Sequence, residues 1–233
     1  MRASTGRSEA DLGLRHRRTK RLLDVLAAVA GVVALSPVLA GIALLIGSKR
    51  DGPVIYRGVR VGLHGRLFEM FKFRTMVANA EMVGGPSTPD DDDRLTPIGR
   101  QLRRYKLDEL PQLFNVVKGD MSLVGPRPQV PSEVDGYSDA ERALLSVRPG
   151  ITDWASLRFH NEGEILAGSP DPDRTYRERI RPEKIRLGLE YVRRAGLRDD
   201  LAILWDTLRL VSRSRRRGES CAPAGGPRER IQQ

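Results

Sequence analysis

The sequence predicts an α+β fold, in which a small and mostly helical domain contains one short β-hairpin and follows a long apolar segment. Three observations predict it. Residues 25–47 carry no charge, and 23 such residues are enough to span the core of a bilayer as a helix. Two alternating runs around a glycine-containing turn, within residues 54–76, indicate the hairpin. Apolar residues with helical spacing near residue 113, over 176–195 and over 199–212 predict amphipathic helices, which pack on the core or lie in the membrane interface.

Charge divides the chain further. The formal net charge is +10, and most of it lies in residues 1–21, with seven Lys/Arg against two acids, and in residues 212–233, with six Arg against two acids. Basic tails suit an anionic lipid surface, whereas few aromatic residues and no RNA- or DNA-binding signature argue against nucleic acid. We therefore expect four parts: a disordered basic N-terminus (1–19), a membrane helix (20–48), a folded domain (49–212) and a disordered basic tail (213–233).

Cysteine and histidine usage limits the kinds of site that the chain can build. The single Cys221 excludes an internal disulfide, and three scattered histidines offer no Cys/His metal cluster. A bound metal is then expected to be a hard cation held by carboxylates. The run Asp90–Asp93 lies in a Pro/Gly-rich stretch that is typical of a solvated loop, so the metal is not placed there.

The apolar segment is predicted to enter the membrane and return. Pro37, near its middle, has no amide hydrogen and crowds the carbonyl of Val33, which predicts a kink. Basic residues flank both ends, and the positive-inside tendency then keeps both ends on the cytoplasmic side. A helix–break–helix that enters one leaflet and returns satisfies both observations, and a straight span with the N-terminus outside is the alternative. Asp24 is expected to pair with Arg21, three residues before it.

The second run of the predicted hairpin carries two cations. Its residues Phe68, Met70, Lys72 and Arg74 alternate onto one face. Two cations beside apolar residues indicate an anionic ligand, or side chains that extend from an edge strand into water. The residues alone leave both interpretations open.

Two adjacent carboxylates, Asp108 and Glu109, stand just ahead of a short predicted helix that ends at Gly119. Backbone N–H groups and the helix dipole favour anions at this position, and basic residues lie on both sides in the sequence. The combination suits phosphate chemistry assisted by a divalent metal, although first-turn acids are also ordinary helix residues. The apolar face of the helix is expected to consist of Leu110, Leu113, Phe114 and Val117.

The run LDELPQLFNVVKGDMSLVGPRP, residues 107–128, resembles the signature of the bacterial sugar transferases, the monotopic phosphoglycosyl transferases. The resemblance covers roughly residues 20–212 and implies a re-entrant membrane helix that breaks at a Ser-Pro pair. Further matching pieces, in the expected order, are Lys20, Arg21 and Asp24 (KR-x-x-D), Ser36-Pro37, KFRTM at 72–76 and RPGIT at 148–152.

The resemblance also implies an activity. In this family a sugar phosphate moves from a UDP-sugar to polyprenyl phosphate, with undecaprenyl phosphate as the expected acceptor, through a phosphosugar–aspartyl intermediate with release of UMP, and glycan assembly begins. Asp108 matches the nucleophile, and Glu109, with Asp108 close by, matches the ligand of Mg²⁺. The phosphate-binding positions correspond to Arg103 and Arg127, with Lys72 and Arg74 as further candidates. The implied location is the cytoplasmic face of the cell inner membrane.

One segment departs from the family pattern. Many members read GWAQ followed by an Asn-Gly pair, where this chain has Asp153-Trp154-Ala155-Ser156 and then residues 157–162 (LRFHNE). The departure leaves the donor sugar open, as it does the roles of Trp154, which suits a nucleotide base, the lipid interface or the core, and of His160. The sequence also leaves open whether the chain forms a homodimer.

Two other functions are compatible with parts of this sequence. A metal-dependent lipid phosphohydrolase needs the same acids and bases, and a non-enzymatic membrane adaptor needs only the apolar segment and the basic tails. An Asp108→Asn substitution distinguishes the adaptor, because covalent catalysis requires the carboxylate.

Overall fold

The computed structural model describes residues 6–85, 87–194 and 196–219. Helix α1 (Gly6–Gly47) begins inside the segment that was predicted to be a disordered tail, so residues 6–19 are helical. Helix α10 (Leu197–Glu219) likewise makes residues 213–219 helical, and the remaining residues of the two predicted tails, 1–5 and 220–233, lie outside the described residues.

The helical backbone of α1 continues through Pro37. Proline cannot donate to the carbonyl of Val33, and the Ser36 hydroxyl donates to that carbonyl at 2.8 Å instead. The Ser-Pro pair therefore does not interrupt the described helix, and a re-entrant path stays a prediction.

Both halves of α1 pack on the rest of the chain. Ala28 joins a buried cluster with Val116 and Met121, while Ile42 joins another that includes Phe73. The opposite side of the helix is exposed and apolar, and Arg18–Gly47 is long and apolar enough to cross a membrane, with 11% of its apolar window buried. Its exposed large side chains are Leu22, Leu23, Leu26, Val29, Val33, Val38, Leu44 and Leu45.

The predicted hairpin is confirmed. Strands β1 (Ile55–Val61) and β2 (Leu67–Phe73) pair antiparallel, with Ile55 opposite Phe73, and a 3₁₀ turn (Leu63–Gly65) joins them. The turn uses positive φ angles at His64 (56°) and Gly65 (78°), the second of which glycine adopts without strain.

Two short helices follow the hairpin, α2 (Ala80–Val83) and α3 (Pro97–Arg104). The Thr96 side chain caps α3 by accepting from the Gly99 amide at 2.9 Å. Gly99 lies so close to the Thr75 carbonyl that an added Cβ would be 1.9 Å from it. This close approach fixes α3, and the chain that follows it, against the end of β2.

Helix α4 (Gln112–Lys118) ends at Gly119, whose φ of 105° is the left-handed conformation that was predicted. The predicted apolar face is wrong in part. Phe114 is 46% exposed and Val117 39% exposed. Asn115 is buried instead, because its amide accepts from Phe71 N at 2.9 Å and donates to the Glu69 carbonyl at 2.7 Å, which holds α4 against β2.

A second, parallel strand pair was not predicted from the sequence. Strand β3 (Ser122–Val124) pairs with β4 (Gly150–Thr152), within the RPGIT motif. A Cβ on Gly150 would lie 2.1 Å from the Gly125 nitrogen, so the two backbones touch just beyond β3. The contact anchors the segment that leads from Gly125 to Arg127.

Helices form the rest of the domain, as predicted for residues 176–195 and 199–212. A π-helical turn (Tyr176–Ile180) leads directly into α9. Trp154 packs edge-on against Tyr191 of α9, with ring centroids 6.0 Å apart, beside buried Val124. Of the three interpretations, the core is therefore the one observed for Trp154. The helices are α5 (Pro131–Asp135), a 3₁₀ turn (Glu141–Ser146), α6 (Trp154–Arg158), α7 (Glu162–Leu166), α8 (Pro172–Thr175), α9 (Arg181–Arg194) and α10.

A buried polar network joins α1 to the C-terminal helices. Asp24 accepts from Ser122 Oγ at 2.7 Å and lies 3.8 Å from Lys20 Nζ, which also bonds Asp200 at 2.7 Å. Tyr191 donates to Asp200 at 2.7 Å. Arg21 was expected to pair with Asp24. The charge of Asp24 stabilises the charged form of Arg21, but no described hydrogen bond joins the two, and Arg21 donates to the carbonyls of Val117 and Met121 instead.

Candidate active site

One large cleft, of about 2040 Å³, contains the residues that the sequence singled out as a site. Its walls come from the hairpin, from α3 and the turn after it, and from residues between α6 and α9. The six predicted site residues that line it are Lys72, Arg74, Arg103, Asp108, Glu109 and Arg127.

Three local features bring the charges together. Lys72 lies near the end of β2, which Asn115 ties to α4. Asp108 and Glu109 form a 3₁₀ turn (Leu107–Glu109), which the chain enters through Lys106 in the left-handed conformation. Arg127 follows β3 closely in the sequence, so these residues, far apart along the chain, meet because β2, α4 and β3 pack on one another.

Glu109 is held between two cations. Arg127 donates to its two carboxylate oxygens, from Nη2 at 2.5 Å and from Nη1 at 3.2 Å, and Lys72 Nζ donates at 3.0 Å. Such a two-pronged arginine contact is the strong form of a charged hydrogen bond. Burial by itself raises the pKa of Glu109, but the charges of Arg127 and Lys72 outweigh it and hold the pKa well below its ordinary value. Glu109 is thus an anion, and its two partners are kept in place.

Asp108 is in the opposite situation. It is 5% exposed, and its Oδ1 has no hydrogen-bond partner among the described residues. Burial raises the pKa of its carboxyl, against the charge of Lys72, which lowers it. A buried carboxylate without partners is costly, and such groups are found where chemistry needs them. The adjacent acids therefore have different surroundings: Glu109 is paired with two cations, whereas Asp108 keeps an oxygen without a hydrogen-bond partner among the described residues.

The other two predicted cations are engaged elsewhere. Arg103 donates to the Thr88 carbonyl at 3.3 Å, and its charge acts on the pKa of Asp108 as a smaller contribution after burial and Lys72. Arg74 donates to the Asp51 carbonyl, and no described contact joins it to Asp108 or Glu109. Arg103 is thus the better placed of the two relative to Asp108.

The donor set suits a hard divalent cation that takes few ligands from the protein. The described residues contain no group of three or more His, Cys, Asp or Glu side chains able to hold a metal ion. Mg²⁺ commonly needs only one or two protein carboxylates, with water and substrate phosphate completing its shell. The unpartnered Asp108 oxygen is available, and Glu109 keeps lone pairs beyond those that Arg127 and Lys72 use. These residues fit such an ion.

A second charged group in the cleft escaped the sequence analysis. Lys184 of α9 forms an ion pair with Glu162, and its Nζ lies 5.0 Å from the ring centroid of Tyr176. Lys184 is one cation among many in an Arg-rich segment, and its partner is 22 residues away, so no local spacing signals the pair. His160 lies at the same side of the cleft, exposed, with Nδ1 3.2 Å from the Leu157 carbonyl.

The comparison with protein families decides what this arrangement belongs to. The bacterial sugar transferase family matches residues 15–214, which is most of the chain and includes every group described above. The chain belongs to the bacterial sugar transferase family. The resemblance that the motifs predicted is thereby confirmed.

Individual relatives of this sugar transferase carry related names. It is 38% identical over 82% of its length to an Aeromonas hydrophila protein named UDP-N-acetylgalactosamine-undecaprenyl-phosphate N-acetylgalactosaminephosphotransferase, and 36% identical over 84% to the undecaprenyl-phosphate galactose phosphotransferase of Salmonella typhimurium. It spans 43% and 41% of those two relatives. The exopolysaccharide production protein ExoY of Sinorhizobium fredii is 34% identical, and 87% of it is covered. Family membership and the exposed apolar helix together support membrane association.

Proposed function

We propose that this sugar transferase moves a sugar 1-phosphate from a UDP-sugar to a polyprenyl phosphate, such as undecaprenyl phosphate, and so initiates the assembly of a glycan. The observation that carries the proposal is the buried Asp108 carboxylate, with one unpartnered oxygen in a cation-lined cleft, in a chain of this family. The names of the relatives include the same lipid acceptor and a UDP-sugar.

The first step uses Asp108 as nucleophile. Its carboxylate oxygen attacks the sugar-bearing phosphorus of the donor, the bond from that phosphorus to the bridging oxygen breaks, and UMP leaves. Covalent catalysis of this kind divides one difficult transfer into two easier ones. Burial favours it, because a desolvated carboxylate with a raised pKa is a stronger base and nucleophile than a solvated one.

The second step regenerates the carboxylate. A phosphate oxygen of the lipid acceptor attacks the same phosphorus, the acyl phosphate bond breaks, and Asp108 leaves as the anion. The acceptor phosphate stays in the headgroup plane, so the enzyme needs its cleft close to the membrane. The adjacent exposed apolar surface of α1 meets this need.

The cations of the cleft act on the phosphates. Glu109 keeps the Arg127 fork and Lys72 beside Asp108, so that both are positioned before the substrate arrives. Arg103 is the next phosphate contact, since its charge already acts on Asp108. Arg74 also lines the cleft, but it is the weaker candidate, because its guanidinium already donates to the Asp51 carbonyl.

Mg²⁺, when bound by Asp108 and Glu109, would neutralise diphosphate charge and assist the departure of UMP. Without such neutralisation a carboxylate and a diphosphate repel each other. Arg127, Lys72 and Arg103 share this task within the protein itself.

The proposed topology is a helix that enters one leaflet and returns, with its bend at Ser36 and Pro37 and the cleft on the cytoplasmic face. Its support is that α1 touches the folded domain at both ends of its apolar segment, through Ala28 and through Ile46. A straight helix that crossed the bilayer would carry one of these ends away from the domain. Basic residues on both flanks favour the same arrangement.

Radiolabelled UDP-sugar tests the proposed reaction. Label should move to lipid only when polyprenyl phosphate is present, in the wild type and in an Asp135→Asn control, but not in Asp108→Asn. Release of free phosphate from a lipid diphosphate, with no transfer from UDP-sugar, would indicate a phosphohydrolase instead.

A further inference from the structure

Two groups of paired charges line the cleft. The first joins Arg127 and Lys72 to Glu109, and the second joins Lys184 of α9 to Glu162 at the start of α7. Lys184 and Glu162 both line the cleft, with side chains 14% and 30% exposed. A partly buried ion pair rarely stabilises a protein more than apolar residues of similar size would. The pair of Lys184 and Glu162 in the cleft is therefore better explained by binding than by stability.

The ammonium group of Lys184 has hydrogen-bond donors that no described residue uses. An ammonium group carries three donors, and Glu162 is the one hydrogen-bond acceptor that the described residues supply to it. The Tyr176 ring covers another side of the ammonium, with Nζ 5.0 Å from the ring centroid, and its hydroxyl has no hydrogen-bond partner in the part of the chain that the structure describes. Tyr176 opens the π-helical turn before α9, an irregularity frequent at functional sites.

Electrostatic effects connect this group to Arg127. Glu109 raises the pKa of Arg127 most, and Glu162 adds to it. Burial lowers the pKa of Lys184, Glu162 opposes that effect, and the charge of Arg127 lowers the pKa further. Arg127 and Lys184 both line the cleft and their charges repel each other, and a bound anion in contact with both would offset that repulsion.

We propose that Lys184, with the Tyr176 hydroxyl, is a second phosphate-binding position, which holds the phosphate that is not bonded to Asp108. The assignment rests on the proposed function. That phosphate has two sources with the same chemistry, the nucleotide phosphate that leaves in the first step and the lipid phosphate that attacks in the second. Glu162 holds the Lys184 ammonium in position and offsets its charge while no phosphate is bound.

Binding measurements test the assignment without catalysis. UMP and inorganic phosphate are titrated into the full chain by calorimetry, for the wild type, Lys184→Met, Glu162→Gln and the control Arg186→Met. Arg186 lies on the same helix and is paired with Glu183 and Glu190, outside the cleft. We expect Lys184→Met to weaken binding about tenfold or more, Glu162→Gln to tighten it about threefold, and the control to stay within about twofold.

A phosphate site is distinguished from a structural ion pair because Lys184→Met and Glu162→Gln should change the affinity for phosphate in opposite directions. If Glu162→Gln weakens binding as Lys184→Met does, the pair is structural and the proposal is wrong, as it is if all four proteins bind alike. Should Lys184→Met fail to fold, Lys184→Gln removes the charge with a polar side chain and must still weaken binding about threefold or more. An unchanged affinity in Lys184→Gln, or a weakened affinity in Glu162→Gln, would overturn the assignment.

Single-turnover and steady-state kinetics separate the two sources. A raised half-saturating concentration of UDP-sugar in the single-turnover release of UMP, measured without acceptor, assigns Lys184 to the nucleotide phosphate. A raised KM for polyprenyl phosphate assigns it to the lipid phosphate. A wild-type protein that binds UMP but never releases it from UDP-sugar would refute the proposed function and leave the calorimetric comparison valid.

Discussion

Glu109→Gln is expected to destabilise the protein strongly, because the substitution leaves two cations in the cleft without their anion. The Glu109 side chain is 14% exposed, and those of Lys72 and Arg127 are 20% and 29% exposed. Removing one partner of a buried ion pair costs about 3–5 kcal/mol, and the partial exposure of Arg127 places this site near about 3 kcal/mol. For a domain of this size the melting temperature should fall by roughly 6–12 °C.

A double-mutant cycle tests whether the ion pairs are the cause. Arg127→Met should cost less, about 1–3 kcal/mol, because Lys72 still neutralises Glu109. The double variant leaves only Lys72, whose pKa burial already lowers, so that it can lose its proton. The loss in the double variant should therefore be smaller than the sum of the single losses by about 2 kcal/mol.

Denaturant unfolding in detergent measures these losses of unfolding free energy. It is followed by tryptophan fluorescence, since Trp154 packs against Tyr191 in the folded protein. The exposed-pair variant Glu183→Gln is the control and should unfold with the wild type. The depressed pKa of Glu109 means that its contribution is present above the unfolded-state pKa of about 4.3 and is lost as the pH falls towards the folded-state value. Additive losses, within about 0.5 kcal/mol, would refute the account of the three charges.

Three further predictions concern chemistry and attachment. Burial raises the pKa of Asp108, so in a pH–rate profile the acid-side loss of kcat/KM should begin at a pH above the pKa of free aspartate. The charge of Lys72 lowers the pKa of Asp108, so Lys72→Met should move this loss to higher pH, and an unmoved profile would contradict the prediction. Asp24→Asn should lower stability by about 2 kcal/mol in thermal unfolding, since it removes the anion that Ser122 and Lys20 contact, and an unchanged melting temperature would refute the network. Leu208→Asp, on the exposed face of α10, should weaken sedimentation with anionic vesicles while UMP affinity is retained; unchanged sedimentation would remove α10 from the membrane surface.

Local signals in the sequence predicted several elements. Alternation and a glycine-containing turn predicted the hairpin, and Gly119 ended α4 in the conformation that glycine favours. The motif resemblance grouped Asp108 and Glu109 with cations from three other segments, and all of them line one cleft. These features depend on residues that are neighbours in sequence, or on a family pattern that already contains the long-range contacts.

Non-local features could not be predicted. Strands β3 and β4 have three residues each, too few for a periodic pattern, and they pair only because Gly125 and Gly150 allow the backbones to touch. The inward face of α4 was misjudged because Asn115 satisfies the β2 backbone, which hydrophobic spacing cannot reveal. Lys20 meets a partner 180 residues away, at Asp200.

The most direct test of the account is the mass of the protein after brief incubation with UDP-sugar and magnesium, without lipid acceptor. A sugar phosphate adduct on the peptide that contains Asp108, formed together with an equal amount of UMP and absent from Asp108→Asn, is the predicted result. Transfer of label to polyprenyl phosphate with no adduct at any stage, or an adduct on another residue, would contradict the account.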